Sequence, residues 1–222
     1  MPVERVEKIN NDNLIAIWRL NETAEELLSL YRLSEDEQLI FDKFVNEKRK
    51  KEWLAYRTML KVMLGKPGLV IFYDEYRKPH LKNANQQISV AHSADLAAVI
   101  ISNNSPVGID IERITPRIDK IRKKFLNPDE LGYLTNNYSL EELYIYWGAK
   151  EALYKMYGRK LLDFRKNMHL DKVTPSKKGN FKGRIIHDAL VIEYNMKYEI
   201  FDDYVMVYVI ENDNKGLNIS KN

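Results

Sequence analysis

The sequence predicts an α+β fold built from two lobes packed face to face. The 222 residues are 45% hydrophobic and 30% charged, a composition typical of a folded protein with a sizeable core. Segments with the two-residue period of strands are interspersed with segments of helical period. Their order partly repeats on either side of the turn-rich stretch NNSPVG at 103–108, which favours two lobes over one.

The first half begins with a predicted strand, NLIAIWRL, at 13–20. A Thr23 cap with Glu26 three residues later then opens a helix. The same cap pattern recurs at the start of 34–64, where apolar residues at helical spacing predict one long helix or two. LVIFYDEY, QISVAHS and LAAVIIS are predicted strands, the last two as a hairpin.

The second half repeats strand, helices and strands. We expect a strand at 107–112, helical segments at 117–125 and 128–137, a long helix near 139–158, and strands near 168–173, 181–187, 190–197 and 203–211. The predicted domains are an N-terminal lobe, 1–105, and a C-terminal lobe, 106–222. We expect the polar tail from residue 212 onward to be mobile.

Composition narrows the classes of function. No cysteine occurs, which excludes disulfides, thiolate metal sites and a cysteine nucleophile. The net charge of +3 is too small for a general polyanion binder, so any basic function must be local. The N-terminus lacks a signal-peptide pattern, and no apolar run has the length of a membrane span. We therefore expect a cytoplasmic protein that contacts neither membrane nor nucleic acid.

Two carboxylates interrupt the apolar stretch VGIDIERI at 107–114. Successive side chains of a strand point to opposite faces, so Asp110 and Glu112 share one face with Gly108, about 7 Å apart along the strand. The glycine leaves room beside them. Such a pair suits a hard cation, Mg²⁺ or alternatively Mn²⁺. The other interpretation is a half-exposed edge strand with two acids on its polar face.

The helix YIYWGAKEALYKMYG at 144–158 carries a second polar feature. Trp147, Glu151 and Lys155 follow one another at intervals of four and therefore form one stripe. Taken alone, the acid and the lysine could be an exposed ion pair worth roughly 0.3–0.5 kcal/mol. Combined with Asp110 and Glu112, they could complete a carboxylate triad with a phosphate-binding lysine beside it.

VGIDIERI followed about thirty-five residues later by WGAKEALYK resembles the signature of the 4'-phosphopantetheinyl transferases. The length is similar to that of the larger, pseudo-dimeric class, which implies a monomer of two similar α/β lobes related by a pseudo-two-fold axis. The resemblance implies that coenzyme A lies between the lobes and that a serine of an apo carrier protein attacks its β-phosphate, releasing adenosine 3',5'-bisphosphate. The carrier would be an acyl, polyketide or peptidyl carrier.

The same resemblance implies roles for individual residues. Asp110, Glu112 and Glu151 fall on the metal ligands of the family. Glu151, directly or through a metal-bound water, falls on the proposed general base, and Lys155 falls on the lysine that steadies the phosphate. Together with Asp110 these form the predicted catalytic set.

The nucleotide end of coenzyme A is assigned through EYRKPHL, SVAHSAD and EKRKKEWLAYRTML. By resemblance, the residues expected to contact coenzyme A, in addition to Lys155, are Arg57, Arg77, Lys78, His92 and Ser93. Without the resemblance, a solvated turn and a histidine at a strand end would explain Lys78 and His92 equally well. FLNPDEL places Glu130 on a family acid of undefined role, and a basic edge formed by Lys120, Arg122, Lys123 and Lys124 is a candidate docking surface for acidic carriers.

Two other functions compete with this interpretation. A different Mg²⁺-dependent phosphotransferase or phosphodiesterase could use the same carboxylates without any carrier protein. A nucleic-acid-binding protein could use the basic segment NEKRKKEW at 46–53, and it would be insensitive to Glu151→Gln.

Overall fold

The computed structural model describes residues 3–66, 68–134, 137–159, 162–187 and 190–211. It is a mixed α+β structure, as the sequence predicts. Two antiparallel sheets lie face to face, and each is covered on its outer face by a long helix. The predicted pseudo-two-fold relation and the boundary after residue 105 stay predictions. The C-terminal tail from 212 and part of the predicted helix at 128–137 lie outside the described residues.

The first sheet has the order β1-β2-β6-β5. Its half of the chain comprises β1 (Val3–Lys8), β2 (Asn13–Arg19), α1 (Ala24–Leu30), α2 (Glu35–Phe41), α3 (Glu47–Leu64), β3 (Ile71–Tyr73), β4 (Pro79–Leu81), β5 (Gln87–Ser93) and β6 (Leu96–Ser102). β3 and β4 form a small separate hairpin. The predicted strand at 13–20 and the hairpin of β5 with β6 are confirmed.

The second sheet has the order β7-β11-β10-β9-β8. Its half comprises β7 (Val107–Arg113), a 3₁₀ helix (Pro116–Ile121), α4 (Arg122–Phe125), α5 (Pro128–Tyr133), α6 (Leu140–Tyr157), β8 (Met168–Leu170), β9 (Lys178–His187), β10 (Leu190–Phe201) and β11 (Tyr204–Ile210). The six predicted elements from 107 to 187 and the last two strands are all present, with shifted ends.

Local sequence explains where the helices begin and end. Thr23 and Ser34 each accept a hydrogen bond from a backbone N–H three residues later and form capping boxes. The segment at 34–64 is two helices, because α2 ends at Phe41 and Asn46 caps the start of α3. Gly65 and Gly158 stop α3 and α6 in the left-handed conformation, with φ of 60° and 70°. These ends place α6 where its polar stripe meets β7.

The apolar face of β7 lies between the two sheets, as its alternation predicts. Val107, Ile109 and Ile111 are fully buried against residues of the first sheet. The opposite face is covered as well, because α6 packs directly on it: a Cβ on Gly108 would lie 1.9 Å from the carbonyl oxygen of Ala152. The expectation that Gly108 leaves room for a ligand is therefore wrong. Its missing side chain makes room for the helix.

Candidate functional site

A cleft of about 410 Å³ lies where the two sheets meet, between β5, β7, the β3–β4 hairpin and α6. β5 of the first sheet runs beside β7 of the second, and two serine side chains of β5 bridge them. The cleft contains three acids, Asp110, Glu112 and Glu151, and six basic residues, Arg49, Arg77, Lys78, His92, Lys155 and Arg159. Acids that are far apart in the chain thus share one cavity.

The stripe on α6 faces this cleft. Trp147, Glu151 and Lys155 all line it, as their spacing predicts. Lys155 pairs with Asp110 and not with Glu151: its Nζ lies 2.7 Å from Asp110 Oδ1 and donates to the Ile109 carbonyl oxygen at 3.1 Å. The interpretation of Glu151 and Lys155 as an exposed i,i+4 pair is therefore wrong. Lys155 links α6 to β7 inside the cleft.

Burial disfavours the ionised form of two acids in the cleft, Asp110 and Glu151, and so raises the pKa of each. The side chain of Asp110 is almost completely buried, and burial raises its pKa to about 7; the charges of Glu112 and Glu151 add to the rise, while Lys155 opposes it. Burial also raises the pKa of Glu151, with Glu112 adding to the effect and Lys155 opposing it. A carboxyl with a raised pKa is a better proton acceptor once ionised, which suits a general base.

Glu112 is held at both of its oxygens. Ser93 Oγ donates to Oε2 at 2.7 Å, and Trp147 Nε1 donates to Oε1 at 3.1 Å. Ser93 is not among the residues that line the cleft. The structure thus places Ser93 behind Glu112 and not against the space where coenzyme A was expected.

The acids have the chemistry of a hard-cation site, although they do not stand in a ready-made cage. In the part of the chain that the structure describes, no three His, Cys, Asp or Glu side chains are close enough to form a metal site. Asp110 Oδ2 is buried and has no hydrogen-bond partner, which leaves a free carboxylate oxygen beside Gly148. Three carboxylates, with one oxygen unsatisfied, fit Mg²⁺ or Mn²⁺ by donor type.

Basic residues also line the cleft, on the β3–β4 turn, on β5 and on α3. Lys78 Nζ donates to the carbonyl oxygen of Met156 at 2.7 Å near the end of α6, and burial lowers the pKa of Lys78. His92 Nδ1 lies 3.1 Å from a carboxylate oxygen of the buried Glu52, while Nε2 faces Arg49 at 3.4 Å. Arg77 lies on the β3–β4 turn with φ of 66° and lines the cleft. These basic side chains make the cleft suited to an anionic ligand.

Arg57 does not contribute to the cleft. Its side chain is 1% exposed, pairs with Glu37 at 3.1 Å and lies over the ring of Trp53, 3.4 Å from the centroid. Arg57 also bonds to Tyr56 Oη. The structure places this guanidinium in the core beside the first sheet, where it does not line the cleft. Contact of Arg57 with the nucleotide stays a prediction.

Three features of the cleft were missed in the sequence. Arg49 of α3, which the sequence did not assign to the coenzyme A site, lines the cleft and faces the His92 ring at 3.4 Å. Tyr73 and Tyr76 bring exposed aromatic rings to its mouth, and Arg159 follows the α6 cap. The signal for the tyrosines is their position around the RKP turn, where loop residues gather near ligands.

Glu130 is a structural residue. Its carboxylate is fully buried, pairs with the buried Lys150 at 2.5 Å and accepts the backbone N–H groups of Asn127 and Leu170. Lys150 also donates to the carbonyl oxygens of Phe125, Phe164 and Met168. This cluster joins α5, α6 and β8 and stands behind the cleft.

The fold is thus α+β, and its cleft combines acids that suit a hard cation with basic groups that suit an anion. Residues 106–209 match the family model of the 4'-phosphopantetheinyl transferase superfamily. This part of the chain is therefore similar to a superfamily whose enzyme class is 4'-phosphopantetheinyl transferase.

Individual relatives agree with this assignment. The 4'-phosphopantetheinyl transferase HetI of Nostoc sp. is 28% identical over 162 residues, which cover 65% of this chain and 68% of HetI. The 4'-phosphopantetheinyl transferase gsp of Aneurinibacillus migulanus is 30% identical over 141 residues, covering 57% and 56%. A 4'-phosphopantetheinyl transferase of Bacillus subtilis is 28% identical over 102 residues, covering 44% and 45%. The chain matches about half the length of the last two.

Helices capable of crossing a membrane are absent from the described residues.

Proposed function

We propose that this protein transfers the 4'-phosphopantetheine group of coenzyme A to a serine of an apo carrier protein and releases adenosine 3',5'-bisphosphate. The observation that supports this most is the meeting of Asp110, Glu112, Glu151 and Lys155 in one cleft, together with basic side chains that fit the nucleotide phosphates. The carrier is an acyl, polyketide or peptidyl carrier. The cytoplasmic location and the monomeric state stay predictions.

The three acids of the cleft form the proposed metal site. Asp110, Glu112 and Glu151 would hold Mg²⁺ or Mn²⁺, which when bound neutralises the diphosphate charge. Lys155 is placed to stabilise charge that develops on the phosphate in the transition state. Its link to Asp110 Oδ1 keeps the ammonium group at the acidic end before substrate arrives.

Glu151 is the proposed general base. The acid lines the cleft and its raised pKa increases its basicity, so it can accept the proton of the carrier serine as the oxygen attacks the β-phosphate. The leaving group is adenosine 3',5'-bisphosphate, whose phosphates Lys78, Arg77 and His92 would hold. Positioning and charge neutralisation would supply most of the rate, as in other phosphoryl transfers.

The proposed docking surface for the carrier is the basic edge at 120–124. Lys120, Lys123 and Lys124 are exposed, whereas Arg122 is partly buried and pairs with Asp119 at 2.6 Å. Exposed lysines of this kind are suited to the acidic helices of carrier proteins. By contrast, the basic segment at 46–53 is partly neutralised by Glu52, which lies 3.7 Å from both Lys48 and Arg49.

Intact mass spectrometry of purified apo carrier proteins incubated with coenzyme A and Mg²⁺ tests the proposal. We expect the mass of one phosphopantetheine group to be added to the carrier serine. Glu151→Gln should lower the rate by about 10²–10⁴-fold, the usual contribution of a general base. Glu141→Gln, in the same helix but outside the cleft, is the matched control and should keep the wild-type rate.

Two results would contradict the proposal. A wild-type turnover rate in Glu151→Gln would show that Glu151 is not the general base. Hydrolysis or transfer of phosphate from coenzyme A without any carrier protein would favour the competing phosphotransferase or phosphodiesterase.

A further inference from the structure

Ser93 joins the two sheets at the acidic end of the cleft. It is the last residue of β5 in the first sheet, and its Oγ donates to Glu112 on β7 of the second sheet at 2.7 Å. The same oxygen accepts the backbone N–H of Arg113 at 3.1 Å. A hydroxyl has one proton to donate, and here that proton is directed to the carboxylate.

The other oxygen of Glu112 is held by a rigid donor. The indole of Trp147 can only donate, and its Nε1 lies 3.1 Å from Glu112 Oε1. The indole ring is packed between Phe125, with centroids 5.2 Å apart, and Phe164, with centroids 5.8 Å apart. Two donors from separate elements therefore determine the orientation of the Glu112 carboxylate.

We propose that Ser93 is a positioning residue that orients Glu112 for a divalent cation, so that cation affinity depends on the contact between the two sheets. The inference rests on the proposed function, because it takes Glu112 as a cation ligand. Groups that hydrogen-bond to ligating carboxylates typically change metal affinity or activity by about 10–100-fold when they are removed. The role differs from the contact with coenzyme A that the sequence resemblance implied for Ser93.

Ser89 provides a matched control on the same strand. It lies four residues before Ser93, and its Oγ accepts the backbone N–H of Ile109 on β7 at 3.2 Å. Both serines thus accept a backbone N–H of β7, but Ser93 also donates a hydrogen bond to Glu112. A purely structural role would make Ser89→Ala and Ser93→Ala behave alike.

The test measures Mn²⁺ binding in the presence of coenzyme A, from the electron paramagnetic resonance signal of free Mn²⁺. We expect Ser93→Ala to raise the dissociation constant for Mn²⁺ about tenfold or more. Ser93→Thr keeps the hydroxyl and should bind Mn²⁺ nearly as wild type does, and Ser89→Ala should leave the affinity unchanged. Trp147→Phe removes the other donor and should also weaken binding, which provides a second variant if Ser93→Ala does not fold.

The inference is overturned if folded Ser93→Ala binds Mn²⁺ as tightly as the wild type does. It is also overturned if Ser89→Ala loses as much Mn²⁺ affinity as Ser93→Ala. If Ser93→Ala does not fold, an unchanged Mn²⁺ affinity in Trp147→Phe overturns it. Failure of the proposed function gives a different pattern. If the wild type binds Mn²⁺ but modifies no carrier protein, the transferase proposal fails while the effect of Ser93 is still decided by the binding data. If the wild type binds no Mn²⁺ at all, the metal role of Glu112 and this inference fail together.

Discussion

Asp110→Asn should make the protein more stable at neutral and alkaline pH while abolishing its activity. Asp110 is 5% exposed, and burial raises its pKa from the ordinary value of 3.8 to about 7. The folded protein therefore binds the proton of Asp110 more tightly than the unfolded chain does. The free energy of unfolding falls as pH rises from about 4 to about 7 and then stays at the lower value.

The size of the effect follows from the two pKa values. A difference of about 3 pKa units at about 1.4 kcal/mol per unit corresponds to about 4 kcal/mol lost above pH 7. Asparagine is neutral at every pH and avoids this loss, although Lys155 then loses the charge of its partner. The stability gained by the variant should therefore grow by about 1.4 kcal/mol per pH unit between pH 4 and pH 7.

Urea unfolding followed by tryptophan fluorescence and far-UV circular dichroism, in the presence of a chelator, measures this difference between pH 4.5 and pH 8. Asp36→Asn is the control, because Asp36 is exposed and its substitution should change stability by no more than about 0.5 kcal/mol. If Asp110→Asn is no more stable than the wild type at pH 8, or if the difference does not vary with pH, the account of the buried acid is refuted.

Gly108→Ala should lower the free energy of unfolding by about 3 kcal/mol or more, because its Cβ would meet backbone atoms of α6. The control Gly132→Ala has open space within α5 and should leave the stability unchanged or raise it by up to about 1 kcal/mol. Thermal unfolding measures both variants. Lys150→Met should lower stability by about 3–5 kcal/mol, since it leaves the buried Glu130 carboxylate without its cation, and combining it with Glu130→Gln should restore part of the loss in the same assay. Arg57→Ala should lower the melting temperature and leave the KM for coenzyme A unchanged; a raised KM in the folded variant would return Arg57 to the ligand site.

Much of the fold was predictable because local patterns coincide with tertiary packing. Thr23 and Ser34 cap their helices with the residue types that supply the missing acceptor, and the period of β7 separates its apolar face from its acids. β1 and β4 were missed. β1 consists mainly of charged residues and therefore lacks a clear apolar face. β4 is only three residues long and begins with Pro79. Both strands depend on pairing with a partner strand.

The helix α3 shows why the basic residues of the cleft were harder to predict than its acids. Residues 52–60 are all buried, so this stretch of the helix has no exposed face that would indicate which side lines the cleft. Arg49 and Arg57 are offset by only about 80° around the helix, so their spacing does not show which of them reaches the cleft. Only packing shows that Arg49 reaches the cleft while Arg57 pairs with Glu37.

The sequence by itself determined the chemistry of the acidic end: alternation on β7 puts Asp110 and Glu112 on one face, and intervals of four on α6 put Trp147, Glu151 and Lys155 on one stripe. These relations follow from the geometry of a single element, which is local. The tertiary structure decided which groups pair across elements. Lys155 with Asp110 and Ser93 with Glu112 join residues 45 and 19 positions apart, and no local period encodes such distances.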